Sequence, residues 1–125
     1  MDEIKLKILS ILEEKAYHAV ELQVFEKAIP NQDLYRHFEY LEQKSLIKLS
    51  KIGPFTGTSI PQILSAILTA HGEDVINKAI KEIESTQSIS IPKSNGRLKY
   101  ILESSTYQVV KDIVIPIFQM ILSMA

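Results

Sequence analysis

The sequence of 125 residues predicts a mainly α-helical fold with a small β element, an α+β chain in which two strands interrupt a run of helices. Three observations lead there. Apolar residues recur at steps of three and four over most of the chain, the repeat that turns one face of a helix towards a core. Between Leu46 and Thr69 that repeat gives way to two short runs, LIKLSKI and QILSAILT, separated by GPFTGTSIP. Two strands joined by a loop follow, because two glycines and two prolines in nine residues punctuate strongly. From Val109 to Ala125 nearly every position is apolar, more than a surface helix requires, so something must cover that segment.

In order, residues 3–15 place Ile4, Ile8, Ile11 and Leu12 on one side, with Leu9 widening the stripe, and predict a first amphipathic helix. Residues 18–29 offer Val20, Val24, Phe25 and Ala28 at similar spacing and predict a second, although Tyr17 and Val20 would also suit a short strand. Asn31 stands before a third pattern, Leu34, Phe38, Leu41 and Ser45, and reads as its N-cap, with Pro30 discouraging helix in Ile29. This helix ends near Ser45 and runs directly into the first strand. After the loop and the second strand, residues 70–84 carry Val75, Ile76, Ala79, Ile80 and Ile83 on a helical face. Residues 85–96, STQSISIPKSNG, read as a linker or a short strand and turn, and residues 97–125 as an apolar helical extension.

Composition narrows the function. A net charge of −1 and a pI near 6.3 exclude a protein held to polyanions by bulk charge, so any nucleic-acid contact is local. Residues 1–52 hold eight basic against nine acidic side chains, residues 53–84 two against four, and the remainder four against two, with Lys93, Arg97 and Lys99 clustered. That cluster reads as a solvated loop before it reads as a phosphate contact. The absence of cysteine excludes disulfides and thiolate metal sites, and with a charged start at Asp2, Glu3, Lys5 and Lys7 the expected location is cytoplasmic.

RHFEYLEQKSLIKL, from Arg36 to Leu49, followed by ILTAHGEDVI, from Ile67 to Ile76, resembles the winged helix-turn-helix superfamily. In that family a recognition helix runs into a wing strand, and the second strand ends in a Leu-Thr-x-x-Gly turn that opens the next helix. The likeness covers residues 3–84 and departs from the pattern at Ser45, where glycine is common, and in a weakly basic loop. It implies a DNA-binding domain over residues 1–84. Small bacterial, archaeal and phage winged-helix proteins with a C-terminal extension are the nearest likeness.

If Leu34, Phe38 and Leu41 face the core, a turn of about 100° per residue leaves Gln32, Arg36, Glu39, Tyr40 and Gln43 outside. Arg36 and Gln43 are types that read guanine and adenine edges, and Asn31, Tyr40, Lys44 and Lys51 can reach phosphates. The expected function is that of a transcriptional regulator binding double-stranded DNA as a homodimer, with Val110, Ile113, Val114, Ile117, Phe118 and Ile121 as the dimer seam. The alternative is a protein-interaction module in which the same fold is only a scaffold. A membrane span through residues 109–125 fits less well, since about 20 apolar residues are needed and Lys111, Asp112, Pro116 and Gln119 interrupt the run.

Catalysis finds no foothold. His18, His37 and His71 are scattered without metal-ligand spacing, Gly53 and Gly57 precede no Gly-Lys-Ser/Thr, and no serine stands in a nucleophile elbow. Neither an enzyme, nor a cofactor, nor a metal is expected.

Overall fold

A computed structural model describes residues 1–57, 60–92 and 96–124. The first apolar stripe folds as α1 (Glu3–Glu14), started by Asp2, whose carboxylate accepts the Lys5 N–H at 3.0 Å. Leu6, Ile8, Leu9 and Leu12 are fully buried, whereas Ile4 and Ile11 are only partly covered. The buried face is broader than predicted because later elements pack on α1 from more than one side.

Both readings of residues 18–29 hold in succession. Val20–Glu21 forms β1 and Leu22–Ala28 forms α2. Since Val20 belongs to the strand, the helical row shifts: Phe25 and Ile29 turn inward, while Val24 is 46% exposed and Ala28 lies outside as well.

Asn31 is not a helix cap. Its φ of 63° is left-handed, inside a turn that asparagine tolerates, and α3 (Tyr35–Gln43) begins four residues later. Asp33 supplies the oxygen instead, accepting the Tyr35 N–H at 3.2 Å. Leu34, Phe38 and Leu41 are buried as predicted, and Phe38 meets Phe25 edge-on with ring centres 5.0 Å apart. At the far end Ser45 takes φ 62°; its N–H bonds to the Glu42 carbonyl at 2.9 Å and Leu46 N–H bonds to the Leu41 carbonyl at 3.0 Å. This pair of hydrogen bonds closes a helix around one left-handed residue.

The chain then enters β2 (Ile47–Ile52), which pairs antiparallel with β3 (Gln62–Leu68), and β1 lies on the other side of β3. The register sets Ile47 opposite Leu68 and Leu49 opposite Ala66, and it slips once between Ser50 and Lys51. Thr69 ties the sheet to the next helix. Its N–H bonds to the Leu46 carbonyl at 3.0 Å, its hydroxyl donates to the Ser45 carbonyl at 2.6 Å, and the same oxygen accepts Gly72 N–H at 2.9 Å to cap α4 (Ala70–Gln87). A Cβ on Gly72 would stand 2.1 Å from the Leu46 carbonyl oxygen, so only glycine fits this crossing.

Helix α4 outruns its predicted end and stops at Ser88, φ 52°. Ile91 then returns to the core, with its N–H on Glu84 Oε2 at 3.0 Å. Of the expected linker and turn, Lys93, Ser94 and Asn95 lie outside the described residues. The C-terminal region is two helices, α5 (Arg97–Ser104) and α6 (Tyr107–Met124), parted at Ser105 and Thr106. Within α6, Val110–Val114 takes a wide π-type turn immediately before Ile115 and Pro116. Proline removes a ladder hydrogen bond, and the ladder changes register where one would be lost.

Leu98 and Ile101 of α5 and Val110, Val114, Phe118 and Ile121 of α6 belong to the same apolar cluster as α1 and the sheet. The extension predicted over residues 97–125 therefore completes the core of residues 1–84.

Candidate nucleic-acid interface

Helix α3 buries Phe38 and Leu41, and the 3.6-residue repeat puts Arg36, Glu39 and Gln43 outside, with Gln32 and Asn31 exposed in the turn before it. Arg36 makes no hydrogen bond or ion pair among the described residues, so its guanidinium is available to a ligand. Gln43 is exposed on the same side two turns on. The predicted readers thus share one outer face, and Glu39 sits between them.

Tyr40 is placed differently from a plain outer residue. It is half-buried, with Lys5 Nζ 5.0 Å from its ring centre and Lys44 Nζ 5.6 Å from it. Each ammonium is drawn to the negative face of the ring. Lys5 also donates to Asp2 Oδ2 at 2.9 Å and to His37 Nδ1 at 3.0 Å, which makes that imidazole nitrogen the acceptor and leaves Nε2 to carry the proton. Burial, then the Lys5 charge, lowers the His37 pKa from its ordinary 6.5, against the pull of Asp2 and Asp33. These contacts leave Lys5 mostly covered and paired with Asp2, as Lys51 is with Glu42, so Lys44 carries the exposed charge at this flank of α3. Nothing in the spacing of α1 marked the contact of Lys5 with Tyr40, because the two meet only through the packing of α1 on α3.

Lys51 is withdrawn from the predicted set. Its Nζ lies 2.9 Å from Glu42 Oε1, and Glu42 Oε2 accepts the Leu49 N–H at 3.1 Å. Burial works to raise the Glu42 pKa, but the hydrogen bonds from Lys51 and from Leu49 N–H, with the Lys51 charge, outweigh it and hold the carboxyl below its ordinary 4.5. The ion pair neutralises Lys51 and fills an unpaired donor on the open edge of β2. Lys48, which no pattern singled out, is exposed on the same strand.

The loop between β2 and β3 offers no cation, since no Lys or Arg occurs between Lys51 and Lys78. Its exposed side chains include Phe55 and Ile60, with Phe55 50% accessible, and Ile52 at the end of β2 is exposed beside them. Of the C-terminal basic cluster, Arg97 pairs with Glu13 at 3.0 Å and bonds to Asn77, and Lys99 lies 3.7 Å from Glu14, while Lys93 lies outside the described residues. Four of the six expected dimer residues, Val110, Val114, Phe118 and Ile121, face the chain's own core because α6 packs on α4; Ile113 and Ile117 are half-buried. Among the described residues no group of three His, Asp or Glu side chains is placed to hold a metal ion.

Comparisons with protein-family models, with curated proteins and with solved structures gave no match to this chain.

Proposed function

We propose that the chain is a winged helix-turn-helix protein that binds double-stranded DNA as a transcriptional regulator, with α3 as the helix that enters the major groove. The order α1-β1-α2-α3-β2-β3, with β3 between β1 and β2, supports the winged-helix reading. The observation that carries the DNA reading is the outer face of α3: an unpaired Arg36 and an exposed Gln43 on one side, with Lys5 and Lys44 fixed over Tyr40 beside them. Arginine and glutamine supply bidentate donors to base edges, and flanking lysines supply the phosphate contacts that set register. Because the chain is slightly acidic, attraction to the duplex rests on local exposed cations such as Lys44 and Lys48.

Selection of binding sites from a random duplex library, followed by anisotropy titration at low and moderate salt, tests this. An enriched sequence whose binding is lost on Arg36→Ala supports the regulator; no enrichment, with equal binding of the wild type and of a Lys5→Ala, Lys44→Ala double variant, overturns it. A second reading, a protein-interaction module, draws on the end of β2 and the loop that follows it, where Ile52, Phe55 and Ile60 expose apolar surface at a place where a DNA-binding wing would offer cations.

A further inference from the structure

Helix α6 is more apolar than its contacts within the chain use. Over Tyr107–Met124 its mean hydropathy is 1.3, and 22% of the helix is buried. The inner row is Val110, Val114, Phe118 and Ile121. A second row, Ile113, Ile117, Met120 and Met124, runs beside it at steps of four, three and four, continuing the step from Val109 to Ile113. Ile113 and Ile117 are half-buried, Met120 is 44% exposed and Met124 79% exposed. On the far flank Ile115 and Leu122 are half-buried against the core, and Asp112, Pro116, Gln119 and Ser123 form an exposed, mostly polar face. Alternating steps of three and four are the repeat of a helix seam that packs against another helix.

We infer that this second row, with the adjoining edge of α4, is the contact surface for a second copy of the chain. Three arguments select that occupant. His71, Asp74, Val75 and Lys78 of α4 form, with Ile121 and Met124, a groove of about 210 Å³ at the Met124 end of the row. Its rim carries one acid and one base, Asp74 and Lys78, 3.0 Å apart and one helical turn apart. A two-fold axis sets each against its opposite in the other copy, so the rim is self-complementary. Length agrees too: α6 has 18 residues, about 27 Å at 1.5 Å per residue, so the row spans several turns of a partner helix. A bilayer fits less well, because Lys111 and Asp112 interrupt the helix and its inner row is already committed to α4.

The seam rests on the regulator reading only for its purpose, a second α3 for a second half-site, and its test uses no DNA, so either can fail without the other. The chain has no cysteine, which makes single-cysteine variants clean reporters. Sedimentation equilibrium of the full chain gives a dimer. Met120→Lys with Met124→Lys, both at exposed positions, raises the dissociation constant at least about tenfold with an unchanged far-ultraviolet circular dichroism spectrum. Ile117→Cys or Met120→Cys cross-links under mild oxidation, and Gln119→Cys or Ser123→Cys does not. A wild type that stays monomeric at the highest concentration reached, a dimer indifferent to Met120→Lys with Met124→Lys, or a monomer that co-sediments with phosphatidylcholine vesicles would overturn the inference.

Discussion

Arg97 Nε lies 3.0 Å from Glu13 Oε2, while the other Glu13 oxygen accepts the Leu98 N–H at 2.8 Å. Glu13 is 4% exposed. A carboxylate in the last turn of α1 would be costly to bury alone, and here it starts α5 and joins that helix to α1, while Arg97 reaches on to Asn77 of α4. Glu13→Ala leaves the Arg97 guanidinium and the Leu98 N–H without their partner. Because Arg97 is partly solvated, the expected loss is about 2–4 kcal/mol rather than the full value for a deeply buried pair. Urea unfolding checks it, and Glu13→Gln, which keeps one acceptor oxygen, loses less.

Ser45 sits at φ 62°, a conformation that costs a residue with a Cβ about 1–2 kcal/mol. Ser45→Gly removes that cost and adds some freedom to the unfolded chain, for a net gain of about 0.5–1 kcal/mol. The Thr69 hydroxyl bonds to the Ser45 backbone carbonyl, which the substitution leaves in place. A melting temperature higher by roughly 2–4 °C is expected. Gly72→Ala does the reverse: its methyl meets the Leu46 carbonyl, and a loss of about 2 kcal/mol or more follows from the shift it forces. Thermal unfolding of the two variants should bracket the wild type.

These two positions show what was legible in the sequence. Leu-Thr-x-x-Gly could be read because it records one crossing, where Thr69 caps α4 and Gly72 clears a backbone oxygen. Ser45, where the sequence pattern favours glycine, adopts the left-handed geometry at a cost in energy. Asn31 was misread because asparagine serves both caps and left-handed turns, and the choice depends on Asp33 being nearer the helix. Arg36 and Gln43 followed from helical periodicity, whereas Lys5 over Tyr40 and Lys51 on Glu42 depend on tertiary packing, which has no local pattern. The C-terminal row went the same way: apolar spacing marked α6, but which side meets α4 was set by the turn at Ser105–Thr106.

Stability depends on pH on two limbs. His37 is held below 6.5, so as pH falls past 6.5 the unfolded chain takes up the proton first and stability drops, until the folded imidazole protonates as well. Glu42 is also lowered; its contribution is complete above 4.5 and is lost as pH falls through the folded value. Denaturation midpoints between pH 8 and pH 3 are expected to fall first below 6.5 and again below 4.5, where Asp2, also held below its ordinary 3.8, adds to the loss from Glu42. His37→Gln flattens the step just below 6.5, and Glu42→Gln reduces the one below 4.5.

Glu42 also guards the edge of the sheet. Its carboxylate occupies the Leu49 N–H on the outer side of β2 and pairs with Lys51, the kind of plug that keeps an open edge from recruiting another strand. Glu42→Ala uncovers that donor and leaves Lys51 unpaired, for a loss of about 1–2 kcal/mol and faster aggregation near neutral pH. Lys51→Ala keeps the Leu49 hydrogen bond and costs less, about 0.2–1 kcal/mol. Light scattering during refolding separates the two: if both variants stay equally clear, the edge is protected by something other than Glu42.

On DNA, Arg36 and Lys44 are expected to fail in different ways. Arg36 faces outward without a partner, so Arg36→Ala should cost about 1–3 kcal/mol at one base position and relax the preference there. Lys44 stacks on Tyr40 at the flank of α3, and Lys44→Ala should weaken binding to every sequence alike while lowering the salt slope by about one. Lys5→Ala belongs with Lys44 but also frees His37 and Asp2, so its effect on stability must be measured alongside. Lys51→Ala should leave binding unchanged at any salt, since Glu42 already neutralises it. Anisotropy titrations at three salt concentrations against matched and single-mismatch duplexes distinguish these patterns. A Lys51→Ala variant that loses as much affinity as Lys44→Ala would mean that the Glu42 pair opens on the duplex.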